Sequence, residues 1–206
     1  MLTITHYNHR PNLQVTPSTG SGSAVAAERV LMNTMLMNRD LLTALRNQDL
    51  LRKGHRTLNQ LSVGIIGFGS MGQQVSERSL ALGCAKATTM NPTGFPPPSG
   101  PGPASATQQG ARPSVSQAAS VVLKTPDDKD ELRTFLGQQD VLALAAPLTS
   151  GTIGLIGAPE LAALPPNAIV INVARGPRLD ENVLAECLRS GHLGGAALDV
   201  ATEECP

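Results

Sequence analysis

Aromatic side chains are nearly missing from this chain of 206 residues: they make up 2% of it and tryptophan is absent, so any core must be built from Val, Ile, Leu, Ala and Met. That scarcity also argues against a platform of stacked aromatics for single-stranded nucleic acid. Net charge is lacking too. Lysine plus arginine and aspartate plus glutamate number 16 each, which removes the positive field that nucleic acid or an anionic membrane surface would require. Only three cysteines occur, Cys84, Cys187 and Cys205, scattered and without metal-ligand spacing. They point away from a disulfide framework and a metal site, toward a reducing compartment, with the cytoplasm as the expected location. No apolar run approaches the roughly 20 residues of a membrane span, and the first ten residues lack the apolar core of a signal peptide.

What the chain does contain is an apolar run, Val63-Gly64-Ile65-Ile66, that ends in Gly67-Phe68-Gly69-Ser70-Met71-Gly72. The run suits a buried parallel strand, and proline-free sequence from Gln73 to Leu82 suits a helix. Strand, Gly-x-Gly-x-x-Gly and helix in that order is the context of a dinucleotide site. Gly67 permits the tight turn, Gly69 lets the backbone approach a pyrophosphate, and Gly72 lets the helix pack on the strand. The amides near Ser70 and Met71 would face the phosphates. A glycine turn without a ligand is the plainer alternative.

Other elements follow in order. Val25, Val30, Leu31, Met35, Leu36, Leu41, Leu42 and Leu45 recur near helical spacing and predict an amphipathic helix from Ser23 to about Gln48, its methionines serving as core filler. The stretch 85–90 reads as a second strand ending at Asn91. Proline, glycine and serine dominate 92–116, which reads as a disordered insertion without chemistry of its own. Order is expected to resume at Val121 to Leu123, followed by a helix from Asp127 to Leu136. Strands are expected at 141–145, 168–173 and 196–200, with helices at 157–164 and from Asp180, its cap, to Leu188. Alternating strands and helices predict an α/β fold with a doubly wound parallel sheet, Rossmann-like, whose ligands lie beyond the carboxyl ends of the strands.

Asn91, Pro147, Asn172 to Arg175 and Asp199 fall at such ends. Arg175, just after a buried strand, could clamp a substrate carboxylate and polarise the adjacent carbonyl, or be a solvated turn arginine. Asp199 could meet the nicotinamide side of a cofactor or cap a loop. Glu204 could orient a base or be a plain surface carboxylate.

Taken together, these pieces resemble the D-isomer-specific 2-hydroxyacid dehydrogenases. The resemblance is carried by Ala24 to Glu28, the glycine motif, Ala145-Ala146-Pro147-Leu148-Thr149 with Thr152, Asn172-Val173-Ala174-Arg175-Gly176-Pro177-Arg178-Leu179-Asp180-Glu181, Ser190-Gly191-His192-Leu193 and Ala197-Leu198-Asp199-Val200. It implies oxidation of 2-hydroxy acids or reduction of 2-keto acids with NAD or NADP. Arg175 would hold the substrate carboxylate, and Glu204 would hydrogen-bond a proton-exchanging histidine and raise its pKa. Cofactor contacts would come from Gly67, Gly69, Ser70, Met71, Gly72, Asn91, Ala146, Pro147, Thr152, Val173, Ala174 and Asp199.

The chain departs from the family pattern in three ways. The family's histidine lies beyond the position of Glu204, while this sequence ends at Pro206 and His192 belongs to a turn before the last strand. Only a remnant precedes Ala24 where the family opens with a substrate-binding domain. Asn91 replaces the aspartate of NAD-preferring members, and no arginine follows it. The expected organisation is therefore a remnant of a second domain over 1–60 with an interdomain helix, and a nucleotide-binding domain over 61–206, the chain being shortened at both ends. Weak or absent turnover is expected of it. Its small-molecule partner would be a 2-hydroxy or 2-keto acid, with no nucleic acid and no membrane, and a homodimer is compatible with the resemblance. The competing expectation is an NAD(H)-responsive interaction protein resembling the C-terminal-binding-protein corepressors. The β-hydroxyacid dehydrogenases and imine reductases share the glycine pattern, but no Asn-Val-Ala-Arg-Gly segment is expected in them.

Overall fold

The computed structural model describes residues 22–41, 56–91 and 129–200. Its centre is a five-stranded parallel sheet formed by β1 (Ser62–Ile66), β2 (Lys86–Met90), β3 (Val141–Leu144), β4 (Ile169–Asn172) and β5 (Gly195–Leu198). The strand order is β2-β1-β3-β4-β5. The chain moves outward from β1 to β2 and then returns to the other side of β1, so the switch point lies between β1 and β3. Parallel strands buried on both faces need apolar side chains in both directions. Val63, Ile65, Val141, Ala143, Ile169 and Ile171 build one layer, and Ile66, Leu142, Leu144 and Val170 build the other.

Helices cover both layers. The first layer packs against α1 (Ser23–Asn38) through Ala26, Ala27 and Val30 and against α2 (Ser70–Ala81) through Val75. The second packs against α3 (Lys129–Leu136) through Leu132, Phe135 and Leu136, α4 (Ala158–Ala163) through Leu161, and α5 (Glu181–Arg189) through Leu184. Asp180 caps α5, its carboxylate accepting from the amides of Asn182 and Val183 at 3.1 Å each, as its position before the apolar stripe predicts. Gly191, at φ 75°, turns the chain out of α5. The doubly wound parallel sheet agrees with the sequence, and the ends of its five strands fall within two residues of those expected.

Two expectations for α1 need correction. The helix is interrupted after Asn38 by a turn at 39–40 rather than running on without a break: Asp40 adopts φ 46°, and the Asn38 side chain donates to the Arg56 carbonyl at 2.7 Å, while the rest of the expected span, Leu42 to Gln48, lies outside the described residues. The buried face is also rotated from the predicted stripe. Ser23, Ala26, Ala27, Val30, Leu31 and Thr34 face inward, whereas Val25, Met32 and Met35 are exposed. Small residues let a helix approach its neighbour closely, so the alanines took the contact that side-chain hydrophobicity alone would assign to valine and methionine. Met37 does reach the sheet, its sulfur lying 3.0 Å from where a Cβ on Gly195 would stand.

The insertion at 92–116, the ordered stretch expected from Val121 to Leu123, the segment before Gly22, Leu42 to Gln48, His55, Glu204 and Cys205 lie outside the described residues. No helix among the described residues is long and apolar enough to cross a membrane. No group of three or more His, Cys, Asp or Glu among them could hold a metal ion.

Candidate functional site

All five strands point their carboxyl ends the same way, and that edge carries most of the residues singled out in the sequence. The strand ends are joined by backbone hydrogen bonds in series: Gly67 N to Met90 O at 2.7 Å, Ala145 N to Ile66 O at 2.8 Å, Val173 N to Leu144 O at 3.3 Å, and Asp199 N to Asn172 O at 2.9 Å. The loop roots are therefore continuations of the sheet, fixed relative to one another.

The glycine turn occupies the switch point. Gly67 has φ 103°, a conformation that disfavours any side chain, and a Cβ there would lie 2.5 Å from the Ala146 backbone. At Gly72, the third residue of α2, a Cβ would lie 1.9 Å from the Gly67 carbonyl oxygen, so this glycine seats the helix on the turn. Gly69 differs from both, because a Cβ there would meet nothing within 4 Å. It is exposed beside exposed Ser70, at the start of α2, where the first-turn amides have no acceptor within the helix. Open space and free donors together suit a pyrophosphate, which fits the expected cofactor.

On the β2 side, buried Asn91 faces the turn, its Oδ1 accepting from the Phe68 amide at 3.2 Å. On the other side, Ala146 and Pro147 follow β3, and buried Thr152 closes their loop. The Thr152 hydroxyl accepts from the Thr149 amide at 2.8 Å and faces the Pro147 carbonyl at 3.1 Å. It stands within hydrogen-bonding range of several loop groups and so braces the loop.

After β4, fully buried Asn172 braces the next turn. Its Oδ1 accepts from the Ala174 amide and its Nδ2 donates to the Arg175 carbonyl, each at 3.0 Å. An asparagine that bonds its own backbone two residues on is a recognised turn-former, so an asparagine closing an apolar strand was a legible signal, though sequence reasoning assigned Asn172 no such role. Buried Val173 and Ala174 follow, and Arg175 emerges into solvent with Nη1 donating to the Ala174 carbonyl at 2.7 Å. Beyond β5, exposed Asp199 pairs with Arg29 of α1.

Arg178 was also missed. Nothing in Gly-Pro-Arg-Leu announces burial, yet a single turn of 3₁₀ helix, Gly176–Arg178, carries its side chain inside, where it is fully covered. Nη2 donates to the Thr152 hydroxyl at 3.0 Å, tying the 147–152 loop to the Arg175 loop, while Nε and Nη1 have no hydrogen-bond partner among the described residues. Burial, aided by the nearby Arg175 charge, lowers its pKa to about 10.

His192 is at the opposite edge. Its backbone carbonyl accepts from Asn167 before β4, and its ring nitrogen lies 3.3 Å from the Leu161 carbonyl. It therefore shares no loop with Arg175. Glu204 lies outside the described residues.

The comparisons with known proteins agree with this arrangement. The model of the D-isomer specific 2-hydroxyacid dehydrogenase NAD binding domain matches residues 105–206. The (S)-sulfolactate dehydrogenase of Chromohalobacter salexigens is 30% identical over 201 residues, covering 94% of this chain and 57% of that protein. The glycerate dehydrogenase of Methylorubrum extorquens is 33% identical over 145 residues, 70% of this chain and 36% of that protein. A D-isomer specific 2-hydroxyacid dehydrogenase from Xanthobacter autotrophicus Py2, solved with NADPH and MES, superposes with a TM-score of 0.71 at 27% identity, covering 98% of this chain and 58% of that one. The chain thus spans just over half the length of the Chromohalobacter and Xanthobacter proteins and about a third of the Methylorubrum one. These relatives are dehydrogenases, which favours that reading over a corepressor. With the glycine turn at the switch point and the Asn-Val-Ala-Arg-Gly turn two strands away on the same edge, the chain belongs to the D-isomer specific 2-hydroxyacid dehydrogenase family.

Proposed function

We propose that the chain binds NAD or NADP along the carboxyl edge of its sheet and serves oxidation or reduction between 2-hydroxy acids and 2-keto acids. The observation that carries this reading is the glycine turn, in which Gly67 and Gly72 are closed in by backbone and Gly69 alone is left open. Adenosine would lie on the β2 side, beside Asn91, and the nicotinamide on the side of β4 and β5, as a dinucleotide straddles a switch point. Ala146, Pro147 and Thr152 would line the groove between them, with Val173 and Ala174 beneath the nicotinamide end. When bound, the cofactor supplies or accepts a hydride. Arg175, an exposed cation at that end, would grip the carboxylate of the 2-hydroxy acid and orient its second carbon. Its guanidinium can make two parallel hydrogen bonds to a carboxylate, which fixes orientation as well as position.

Gly69 provides the test. At φ −72° and ψ −170° an alanine is accommodated without strain, and its methyl group meets no protein atom. Gly69→Ala is expected to leave thermal unfolding unchanged and to weaken NADH about tenfold, roughly 1.4 kcal/mol, in a fluorescence titration. Equal NADH affinity in the two proteins would overturn the proposed site. NADH consumption with glyoxylate or hydroxypyruvate is a second readout. Any turnover is expected to be slow and to vanish in Arg175→Ala, since no histidine among the described residues shares the edge with Arg175.

Asn91 bears on which cofactor is taken. A neutral amide presents no repulsion to a 2′-phosphate, and the sequence places no arginine directly after it to attract one. NADH and NADPH are expected to bind within about tenfold of each other. A hundredfold gap in either direction, measured by the same titration, would contradict this.

A further inference from the structure

The ion pair between Arg29 and Asp199 joins α1 to the end of β5 at the side of the edge where the nicotinamide is placed above. Its position is set by packing along the whole helix. Met37 lies against Gly195 at the start of β5. Eight residues back along the helix, at about 1.5 Å each, span about 12 Å, and four residues forward along the strand, at about 3.3 Å each, span about 13 Å. The two side chains are thus brought level, and α1 presents a cation to the strand end by geometry rather than by chance of rotamer.

We propose that Arg29 is a positioning residue that neutralises the Asp199 carboxylate and biases the nicotinamide end of the site toward the reduced, uncharged ring. This rests on the dinucleotide reading above. The oxidised nicotinamide ring carries a positive charge and the reduced ring carries none, so the charge beside the ring separates the two forms. An unpaired Asp199 would attract the oxidised ring. Paired with Arg29 it contributes a dipole instead, and the guanidinium itself repels that ring. Arg175, on the neighbouring strand end, adds to the same positive field.

The pair is not chiefly a device for stability. The two side chains retain 49% and 32% of their exposure, and exposed pairs contribute little to folding. Arg29 can therefore be exchanged without unfolding the chain, and its electrostatic effect can be read separately.

The experiment measures dissociation constants of NADH and NAD⁺ for the full 206-residue chain at low ionic strength, where screening is weak. Arg29→Met is expected to lower the ratio of the NAD⁺ constant to the NADH constant about tenfold, the size expected for removing a unit charge several ångströms from the ring in a partly exposed site. Arg29→Lys should keep the wild-type ratio, because it restores the charge. Asp199→Asn should move the ratio the other way, leaving Arg29 uncompensated. An unchanged ratio in Arg29→Met, an equal loss of affinity for both forms, or a shift of the same sign in Arg29→Met and Asp199→Asn would overturn the proposal while leaving dinucleotide binding intact. Failure of the wild-type chain to bind either form would instead remove the dinucleotide reading, and this inference with it.

Discussion

Gly72→Ala is expected to destabilise the chain by about 3 kcal/mol, at the upper end of what overpacking usually costs, and to abolish NADH binding. The added carbon would stand 1.9 Å from the Gly67 oxygen, 2.9 Å from the Gly67 carbonyl carbon and 3.4 Å from Ile65 Cγ2. The two closest atoms are backbone, so no rotamer change relieves the overlap. Gly67 cannot retreat either: its amide is held by Met90, and the Ala146 backbone closes its other side. Relief must come from lifting α2 off β1, which opens the contacts of Val75 and displaces the helix N-terminus from the phosphate position. Urea unfolding followed by circular dichroism measures the loss, and a midpoint like that of the wild type would refute it. The contrast with Gly69→Ala is the point of pairing the two: one substitution damages the fold and the site together, whereas the other reaches only the ligand.

The second large effect has the opposite sign. Arg178→Met is expected to raise stability by about 2 kcal/mol, within the range seen when buried charge is replaced by apolar side chains of similar volume. Arg178 is fully buried, with Nε and Nη1 unpartnered among the described residues and a like charge on Arg175 nearby. Its pKa falls well below the ordinary guanidinium value, to about 10. For a basic group this direction means that the folded state disfavours the cation. The penalty is therefore present throughout the range below pH 10 and is relieved only as the pH climbs above about 10 toward the ordinary guanidinium range, where the unfolded chain holds the extra proton. Methionine removes that penalty at neutral pH. Its thioether chain can fill the vacated space, and Thr152 loses only one of several partners, since Thr149 still donates to it and Pro147 still accepts. A lower urea midpoint at pH 7 would show that the Thr152 bond outweighs the burial of the charge.

Much of this architecture could be read from residues. The strand at 62–66, the glycine order, the cap at Asp180 and the strand at 169–172 each had a local signal whose physical cause operates locally: branched side chains, a required turn, a side-chain acceptor for free amides. The inward face of α1 could not be read in this way. Which side of that helix is buried depends on how closely it approaches α2 and the sheet, and Ala26 and Ala27 win that contact by being small, against the hydrophobic preference for Val25 and Met35. The candidate site divides along the same line. Gly67, Asn91, Arg175 and Asp199 stand at strand ends, and parallel topology brings strand ends together. Arg178 and Arg29 act across elements distant in sequence, through a turn of 3₁₀ helix and a helix crossing, and neither carries a local mark.

The row of backbone hydrogen bonds in which Gly67 donates to Met90, Ala145 to Ile66, Val173 to Leu144 and Asp199 to Asn172 also bears on entropy. Ordering a loop residue upon binding costs about 1 to 2 kcal/mol of backbone freedom, and these residues have already surrendered theirs in folding. A dinucleotide laid across such an edge loses its own freedom but need not restrain the protein's, so more of the contact energy remains as affinity.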